Sequence, residues 1–345
     1  MSVAHLLVER AGLFDTIQDS GRIGFQALGM PVAGAMDRIA LRLANALVGN
    51  PAGTACLEIG VVGPTLRIEA DSVRVAVVGP VALDLTTAPG GPATRVDADR
   101  SHLLTRGQSL RVGMVEGAST ACLAIEGGFA LAPFMGSLST YTRAGVGGFE
   151  GRKLRDGDRL PLTLDAARKR EERRLPGAFD HGAGPIRVVP GPQTDHFTDA
   201  GRAAFFGGEY TVSKEADRMG IRFDGPRIEH SALGPDIVSD GIAAGSIQVP
   251  GAGLPIALLS DRQTVGGYPK IATIASVDLP RVGRLPPGTR VRFAAIGVAE
   301  AEDLRADQER RLARLLADLP VARPPGGIDL VALYERNLID GVVWD

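Results

Sequence analysis

Short apolar runs rich in β-branched residues recur along the chain, with glycine or proline between them. Their alternation and composition predict strands, and their close succession is typical of an all-β barrel. The 45 glycines and 23 prolines, set against few aromatic residues, favour the same mainly β fold with tight turns and few helices. The candidate strands are residues 72–78, 109–113 and 121–126 in the first half, and 186–189, 255–260, 270–275 and 290–296 in the second.

Two segments carry a helical pattern. In the first, Asp37 can cap the helix, and Gly-Asn-Pro at residues 49–51 ends it. The second covers about residues 299–319 and has leucines at helical spacing opposite a charged face. We expect this leucine stripe to pack on its own domain, with binding to a partner protein as the alternative. The residues that share one face are Ile39, Leu43, Ala46 and Leu47 in the first helix, and Leu312, Leu315, Leu316 and Leu319 in the second.

A change in composition near residues 165–185 divides the chain. Residues 168–174 form a charged run, which is not expected to pack into a core, and a glycine- and proline-rich stretch follows it. A length of 345 residues is enough for two domains with separate cores. We therefore predict a first barrel domain over residues 1–165, a second over 185–298, and a C-terminal helix and tail over 299–345.

The two halves share an order of elements. In each half a strand leads into a glycine pair, at 127–128 and at 266–267, and a glycine-containing turn then precedes another strand. We interpret this order as an internal duplication that produced two related barrels. Paired barrels commonly bind ligands at their seam.

Charge and missing motifs exclude several classes of function. The formal net charge of −2 gives no reason to expect a nucleic-acid partner. We find no bilayer-spanning stretch and no signal-peptide pattern, so we expect a cytoplasmic protein with no membrane contact. Cys56 and Cys122 are expected to be buried thiols, and the five histidines lack metal-ligand spacing, so no metal site is predicted. The sequence has neither a phosphate-binding loop for ATP nor the Ala-Met-Lys-Met setting of biotin attachment.

The polar segment at residues 260–270 directly follows an apolar strand and contains a glycine pair. Polar groups at the end of a strand indicate a binding site at a barrel mouth, where glycines let the backbone approach a ligand. A partly desolvated Lys270 can stabilise a developing oxyanion. Asp261 can orient this lysine or act as a base, and Gln263 offers the donor and acceptor that an amide substrate needs. A turn with surface ion pairs is the alternative interpretation.

Polar residues and glycines also cluster at 33–37 and 214–220. In the first of these clusters, Asp37 is either a helix cap or a site residue. In the second, Asp217 and Arg218 are either site residues or a structural turn pair.

A series of short motifs runs through the chain. The motifs are Thr-Ile-Gln-Asp-Ser-Gly-Arg (16–22), Gly-Ala-Met-Asp (34–37), Arg-Leu-Ala-Asn-Ala-Leu-Val-Gly-Asn (42–50), Ser-Thr-Tyr (139–141), Gly-Gly-Phe-Glu-Gly-Arg (147–152), Pro-Gly-Pro-Gln (190–193), Asp-Arg-Met-Gly (217–220), Gly-Ser-Ile-Gln-Val-Pro (245–250) and Asp-Arg-Gln-Thr-Val-Gly-Gly-Tyr-Pro-Lys-Ile (261–271). In content and order the series resembles the allophanate hydrolase subunit 2 family, also called the biotin-dependent carboxyltransferase family. Leu138 departs from the family pattern, which often has arginine there. The tail beyond about residue 300 lies outside the shared core, and its apolar close at 337–343 suggests docking or partner contact.

The resemblance implies a pair of cyclophilin-like β-barrels, and an active site shared with an obligate partner of the allophanate hydrolase subunit 1 type (the B-type subunit of 5-oxoprolinase). In the 5-oxoprolinase system, a third subunit of the A type is also needed, and 5-oxoproline is opened to glutamate with ATP. The residues that match the family's motifs, with the roles we infer for them, are Lys270, Asp261 and Gln263 as catalytic residues, and Arg262, Gly266, Gly267, Tyr268, Asp37, Asp217 and Arg218 as substrate-binding residues.

Three functions are expected from the resemblance. The first is a hydrolase subunit in a 5-oxoprolinase-like complex, inactive without its partners, with ATP used by the complex and a small amide as substrate. The second is a carboxyltransferase component that acts on urea-like amides, with biotin carried on a partner. The third is a non-enzymatic regulatory module, because the family has been linked to antagonism of a kinase inhibitor.

Overall fold

A computed structural model describes residues 4–88 and 90–322. Over these residues the protein is mainly β, with 21 strands and four α-helices, so the predicted fold class is confirmed. The strands form two modules, each with its own apolar core. None of the helices described is long and apolar enough to cross a membrane.

The first module contains eleven strands in two antiparallel sheets. The strands are β1 (His5–Arg10), β2 (Thr16–Gln18), β3 (Cys56–Gly60), β4 (Thr65–Glu69), β5 (Ser72–Val78), β6 (Val81–Thr86), β7 (Ala93–Val96), β8 (Ser101–Thr105), β9 (Ser109–Val115), β10 (Thr120–Ile125) and β11 (Arg159–Pro161). One sheet has the strand order β11-β1-β4-β9-β6-β7 and the other β2-β3-β10-β5-β8. Alternate side chains of both sheets point into one core, where Leu6, Leu83 and Leu123 are fully buried. The strands predicted in this half correspond to β5, β9 and β10.

The five-stranded sheet is buried on both faces. Its second face carries Cys56, Ala76 and Cys122 and is covered by helix α1 (Arg38–Val48). Burial on both sides explains why β5 is an almost continuous apolar run rather than an alternating one. Both cysteines are buried free thiols, as expected, and burial raises the pKa of Cys56.

Helix α1 begins and ends as predicted. The Asp37 carboxylate accepts hydrogen bonds from the backbone N–H groups of Ile39 and Ala40, each at 3.0 Å. These bonds satisfy two of the donors that the start of a helix leaves without intrahelical partners. Gly49 ends the helix with φ 74°, a left-handed conformation that glycine adopts without steric cost.

The second module is an eight-stranded, nearly closed barrel sheet with a separate two-stranded ribbon. The strands are β12 (Ile186–Pro190), β13 (Tyr210–Ala216), β14 (Gly220–Asp224), β15 (Asp240–Gly241), β16 (Ser246–Gln248), β17 (Ile256–Leu258), β18 (Val265–Gly266), β19 (Lys270–Ile274), β20 (Arg290–Val291) and β21 (Phe293–Ala295). The sheet order is β20-β13-β14-β17-β16-β19-β12-β21, and β15 pairs with β18. The strands predicted in this half correspond to β12, β17, β19 and the pair β20 and β21.

Aromatic side chains fill much of the second core. Phe205 and Phe293 stack with ring centroids 4.6 Å apart, and Phe223 meets Phe293 edge-on at 5.4 Å. Phe205 comes from helix α2 (Asp199–Gly207), which the sequence pattern did not indicate. The helix has nine residues and buries only Gly201 and Phe205, so it is too short to show an apolar period. The remaining short helices are α3 (Leu279–Val282) and the 3-10 turns Gln26–Leu28 and Thr194–His196.

Both halves contain the order of elements expected for a duplicated barrel. Strand β10 leads into Gly127-Gly128 and later into β11, while β17 leads to Gly266-Gly267 and later into β20. The sheets differ, with two sheets in the first module and one large sheet in the second, and the duplication stays a prediction.

Helix α4 (Val298–Ala317) packs within the chain. Leu312 is buried in the cluster that α1 forms on the first module, and Leu315 and Leu316 pack against that cluster. From the same helix, Gln308 donates a hydrogen bond of 3.0 Å to the Val277 carbonyl of the second module. The leucine stripe therefore has an intramolecular role. The predicted contact of residues 337–343 lies outside the residues described.

The charged run at 168–174 contacts the first module through its main chain, and none of its side chains is buried in a core, as expected. The backbone carbonyls of Arg168 and Arg170 accept hydrogen bonds of 2.9 and 3.1 Å from the buried Arg74. Glu172 pairs with the same guanidinium at 2.9 Å, while the side chains of Arg168 and Arg170 stay exposed. The main chain of this charged segment is thus held in place, because its carbonyl oxygens accept hydrogen bonds from the buried Arg74 guanidinium. The predicted boundaries at residues 165 and 185 stay predictions.

Candidate active site

Lys270 begins strand β19 and is buried, with 3% of its side chain exposed. Its Nζ donates hydrogen bonds to Asp240 Oδ2 at 2.7 Å and to the Gly241 carbonyl at 3.3 Å. Asp240 is half-exposed, at 52%, and the hydrogen bond from Lys270 lowers its pKa. A buried ammonium group therefore reaches a carboxylate at the rim of the barrel, where one face of the pair meets solvent.

Gln193 contacts the residues of this ion pair directly, Gln248 is the cross-strand neighbour of Lys270, and Gln263 approaches Gln248. Gln193 Oε1 accepts the Lys270 backbone N–H at 3.1 Å, and its Nε2 donates to Asp240 at 3.4 Å. Gln263 Nε2 lies 3.5 Å from Gln248 Oε1. The buried Gln263 Oε1 accepts no hydrogen bond from the residues described. We refer to Lys270, Asp240, Gln193, Gln248 and Gln263 as the Lys270 cluster.

The glycine pair shapes this cluster. Gly266 in β18 pairs with Asp240 in β15, which fixes the carboxylate near the lysine. A Cβ atom added to Gly266 would lie 2.7 Å from Ile242 Cδ1 and 2.8 Å from Gln248 Nε2, closer than real Cβ contacts. A side chain at Gly266 would therefore have to displace the ends of the Ile242 and Gln248 side chains. Gly267 has room for a Cβ, at 3.4 Å from the Ile237 carbonyl.

Tyr268 follows the glycine pair and lies at the surface, with 42% of the residue exposed. Its backbone carbonyl accepts a hydrogen bond of 3.3 Å from Gln248 Nε2. The main chain of Tyr268 therefore orients a member of the Lys270 cluster, while its ring faces outward.

Asp261 pairs with Arg218, not with Lys270 as expected. Arg218 Nε and Nη2 donate to the two Asp261 oxygens at 2.9 and 3.0 Å, a bidentate arrangement. Nη2 also donates to the Gly34 carbonyl at 2.6 Å, and Nη1 contacts Glu58. Glu58 and Gly34 belong to the first module, so this buried triad of Glu58, Arg218 and Asp261 joins the two modules.

Burial and charge oppose each other in the triad. Burial raises the pKa of Glu58, and the neighbouring Arg218 partly offsets this effect. Burial alone would lower the pKa of Arg218, but Glu58 and Asp261 raise it well above its usual value. The guanidinium therefore stays charged between two acidic side chains.

Asp37 and Asp217 have structural contacts of their own. Asp37 caps α1, and its Oδ2 lies 3.4 Å from both Arg284 and His181. The exposed Asp217 accepts hydrogen bonds of 2.8 and 3.1 Å from the next turn, at Met219 and Gly220. Among the residues described, no hydrogen bond or ion pair joins either aspartate to the Lys270 cluster. Their substrate-binding role stays a prediction.

Arg262 is also separate in its contacts. Its guanidinium donates to the carbonyls of Ile242 and Leu259 at 3.2 and 3.0 Å and is buried, with 5% of the residue exposed. The polar segment at 260–270 thus has side chains in three different settings: Asp261 pairs with Arg218, Arg262 binds backbone carbonyls, and Lys270 pairs with Asp240.

Sequence reasoning did not assign three members of the Lys270 cluster as site residues. Gln193 ends the Pro-Gly-Pro-Gln motif and Gln248 lies in Gly-Ser-Ile-Gln-Val-Pro, so the motif series already contained them. Asp240 lies in no motif, and only the pairing of β15 with β18 brings it to Lys270.

The loop around Leu138 is held by hydrogen bonds to the Asp19 carboxylate. Asp19 accepts hydrogen bonds from the Leu138 backbone at 2.6 Å and from the Ser137 and Ser139 hydroxyls at 2.7 and 2.5 Å. The donors of this loop thus converge on a carboxylate of this chain.

The Lys270 cluster has hydrogen-bonding capacity that the protein does not use. A lysine ammonium has three N–H donors, and Lys270 uses two of them within the residues described. Gln263 Oε1 is an unused acceptor. One donor for a carbonyl oxygen and one acceptor for an N–H group match the two polar atoms of an amide. In the same ranges, no group of three histidine, cysteine, aspartate or glutamate side chains is placed to hold a metal ion.

Comparison with known proteins identifies the family. Residues 28–295 match the carboxyltransferase domain, subdomain A and B. The chain is 36% identical over 316 residues to the C-type subunit of the 5-oxoprolinase of Escherichia coli strain K12, a match that covers 90% of this chain and 97% of that protein. It is 34% identical over 295 residues to the C-type subunit of the 5-oxoprolinase of Haemophilus influenzae, with 85% and 92% covered.

A solved structure supports the same relationship. The crystal structure of the K. lactis urea amidolyase matches 91% of this chain with a TM-score of 0.82 and 26% sequence identity. The chain corresponds to 20% of that larger protein. From the matched residues, the near full-length relatives and the shared fold, we conclude that this chain belongs to the carboxyltransferase domain family, as its motif series predicts.

Proposed function

We propose that this chain is one subunit of an ATP-dependent, multi-subunit enzyme and that the Lys270 cluster binds the amide substrate. The observation that carries the proposal is the pairing of an unused lysine donor with an unused glutamine acceptor in one cluster. We further propose 5-oxoproline, a cyclic amide, as the substrate and glutamate as the product. Two relatives named as C-type subunits of 5-oxoprolinase, each matched over more than nine-tenths of its length, favour this choice.

In this proposal Lys270 and Gln263 hold the lactam from both sides of its amide group. The third N–H of Lys270 donates to the carbonyl oxygen, and Gln263 Oε1 accepts the ring N–H. Negative charge develops on the carbonyl oxygen as water adds to the carbonyl carbon, and an ammonium group already held by Asp240 stabilises that charge without reorganising. The C–N bond then breaks, the carbonyl re-forms within the new carboxyl group, and the ring nitrogen takes up a proton to become the amine of glutamate. Asp240 also offsets the cost of keeping Lys270 charged in a buried position.

Partner subunits complete the proposed enzyme. Val238, Val265 and Tyr268 expose 94%, 56% and 42% of their surfaces, and the latter two flank the glycine pair beside Asp240. Exposed apolar residues around a half-open polar cluster favour coverage by another protein. We propose that this rim is covered by the B-type subunit, and that ATP is bound on another subunit, with the A-type subunit as the third member. The expected cytoplasmic location stays a prediction.

A second candidate function is carboxyl transfer, which the family description itself favours, with biotin as the proposed donor. The half-exposed Asp240 leaves the rim open to a group delivered by a carrier, and the Lys270 ammonium suits the negative charge of a carboxyl group. Biotin carried on a partner would supply that carboxyl group. The residues of this chain would orient the accepting amide, as they do in the first proposal.

The test is glutamate release from 5-oxoproline and ATP by this chain reconstituted with its B-type and A-type partners. We expect Lys270→Ala to lower turnover about 10²–10³-fold, the usual effect of removing one oxyanion-stabilising donor. Lys214→Ala is the matched control, because Lys214 is exposed on β13. Size-exclusion chromatography would confirm that both variants still assemble.

The outcomes separate the three candidate functions. No glutamate release from an assembled wild-type complex would reject 5-oxoproline as the substrate. Bicarbonate-dependent, avidin-sensitive ATP use, with a biotinylated partner in the complex, would instead support carboxyl transfer. Partner regulation that persists in Lys270→Ala and Asp261→Ala, with no turnover in any form, would support the regulatory module.

A further inference from the structure

A cavity of about 330 Å³ lies between the two modules. Its walls come from helix α1, from the residues that follow β17 and from helix α4, so both modules contribute to it. No member of the Lys270 cluster lines this space, which we call the seam cavity. It is therefore a separate site from the one proposed to hold the amide.

The seam cavity is strongly cationic. Four arginines line it, at positions 38, 42, 262 and 305, against one acidic residue, Glu309. Glu309 is shared by two of them, with Arg42 at 2.7 Å and Arg305 at 2.6 Å. Within residues 4–88 and 90–322, Arg38 and Arg262 have no carboxylate partner. The cavity is large enough for a small molecule, and one glutamate is the acidic residue that lines it beside four arginines.

Arg262 is held in place but not neutralised. Its Nε and Nη1 donate to backbone carbonyls at 3.2 and 3.0 Å, while Nη2 has no hydrogen-bond partner in the described part of the chain. Only 5% of the residue is exposed. A buried guanidinium without a counter-charge is costly to fold. A rigid, unneutralised arginine beside a cavity is therefore suited to a ligand that brings the missing negative charge.

Arg38 is placed where a cation is unfavourable in the free protein. It is the first residue of α1, where the helix dipole contributes partial positive charge and where acidic residues are preferred. Arg38 is itself exposed and lines the cavity together with Arg262 and Arg305. Burial and then the nearby Arg38 lower the pKa of Arg262. The positive charges at the cavity thus repel one another until an anion binds between them.

We propose that the seam cavity binds a small oxyanion, a carboxylate or a phosphate group, between Arg38 and Arg262. The planar guanidinium fork matches the two-oxygen edge that both groups present. Arg262 was predicted from the sequence to bind substrate, but the anion site does not depend on the proposed reaction, because its cavity and its test involve neither turnover nor the Lys270 cluster.

The test is ligand-dependent thermal unfolding of the full chain in inorganic phosphate and in acetate, each compared with sodium chloride at the same ionic strength. We expect a saturable rise in unfolding temperature with at least one of the two anions. Arg38→Gln should bind that anion about tenfold more weakly, because it removes a charge-assisted contact. Saturation by phosphate alone assigns the site to a phosphate group, by acetate alone to a carboxylate, and by both to any small oxyanion.

The choice of variant separates binding from a structural role. Without phosphate or acetate, Arg38→Gln should be at least as stable as the wild type, since it removes a cation from the helix start and from beside Arg305. Arg95→Gln, at an exposed arginine on β7, is the matched control and should leave anion binding unchanged. The proposal is overturned if neither anion stabilises the wild type beyond chloride, or if Arg38→Gln responds as the wild type does.

Discussion

At the scale of single residues, a polar side chain that is buried with too few hydrogen-bond partners has a shifted pKa. Asp15 is an example outside both proposed sites, with 1% of the residue exposed. One of its oxygens accepts the Gly12 N–H at 2.9 Å, and Oδ1 has no hydrogen-bond partner among the described residues. Burial raises the pKa of this carboxyl group to about 7, with opposing contributions from hydrogen bonds and from Lys153. The folded protein therefore favours the protonated form.

This raised pKa predicts a pH-dependent stability difference for Asp15→Asn. A group whose pKa is higher in the folded state stabilises the protein at acid pH and loses that contribution as the pH rises towards its folded pKa. The asparagine variant has no such loss. The free energy of unfolding of the variant minus that of the wild type should therefore increase by about 2 kcal/mol between about pH 5 and pH 8.

Urea unfolding of both proteins at several pH values measures this difference. Taking the difference cancels the titration of every other group that the two proteins share. A difference that stays constant across the range, or that falls as the pH rises, would contradict the raised pKa of Asp15.

At the scale of elements, Asp37 at the start of helix α1 makes two kinds of contact. Asp37 satisfies two backbone donors of the helix and also lies beside Arg284 and His181. Burial, opposed by Asp37, lowers the pKa of His181. The same aspartate thus caps a helix and lies beside an arginine, and it is also one of the residues predicted to bind substrate.

Substitutions at Asp37 separate the cap from a role in binding. Asparagine caps helices about as well as aspartate, whereas alanine does not, so Asp37→Ala should be about 1 kcal/mol less stable than Asp37→Asn. Chemical unfolding of the two variants measures this gap. Equal stability of the two would argue against the cap. Lower turnover of Asp37→Asn in the reconstituted complex, at near wild-type stability, would support the substrate-binding prediction.

At the scale of the whole molecule, buried polar contacts join the two modules. The triad of Glu58, Arg218 and Asp261 crosses the seam, and α4 contacts both sides through Leu312 and Gln308. Because Glu58 and Asp261 are buried, each carboxylate depends on Arg218 to compensate its charge. Removal of one partner leaves the remaining charge without compensation.

Arg218→Met should therefore lower the free energy of unfolding by about 3–5 kcal/mol, because two buried carboxylates lose their cation. Arg106→Met is the matched control, since Arg106 and Asp71 form an exposed pair, and it should cost at most about 1 kcal/mol. Urea unfolding measures both. Similar losses in the two variants would show that the triad adds no more than a surface pair does.

The sequence by itself determined the mainly β class, the cap and end of α1, the buried thiols and the family. These features depend on local periodicity, on capping chemistry, or on short motifs that keep their order, and all of them are readable along the chain. Lys270 and Gln263 were also predicted in this way as candidate site residues, because they lie together in one polar segment after a strand.

Only the tertiary structure decided which charges pair. Lys270 meets Asp240, 30 residues away, while Arg218 meets Asp261 and Glu58 at separations of 43 and 160 residues. The charged run at 168–174 is likewise ordered by Arg74, about a hundred residues earlier in the chain. The physical reason is that periodicity and turn chemistry act over a few residues, whereas an ion pair depends on strand pairing and module packing that bring distant residues together.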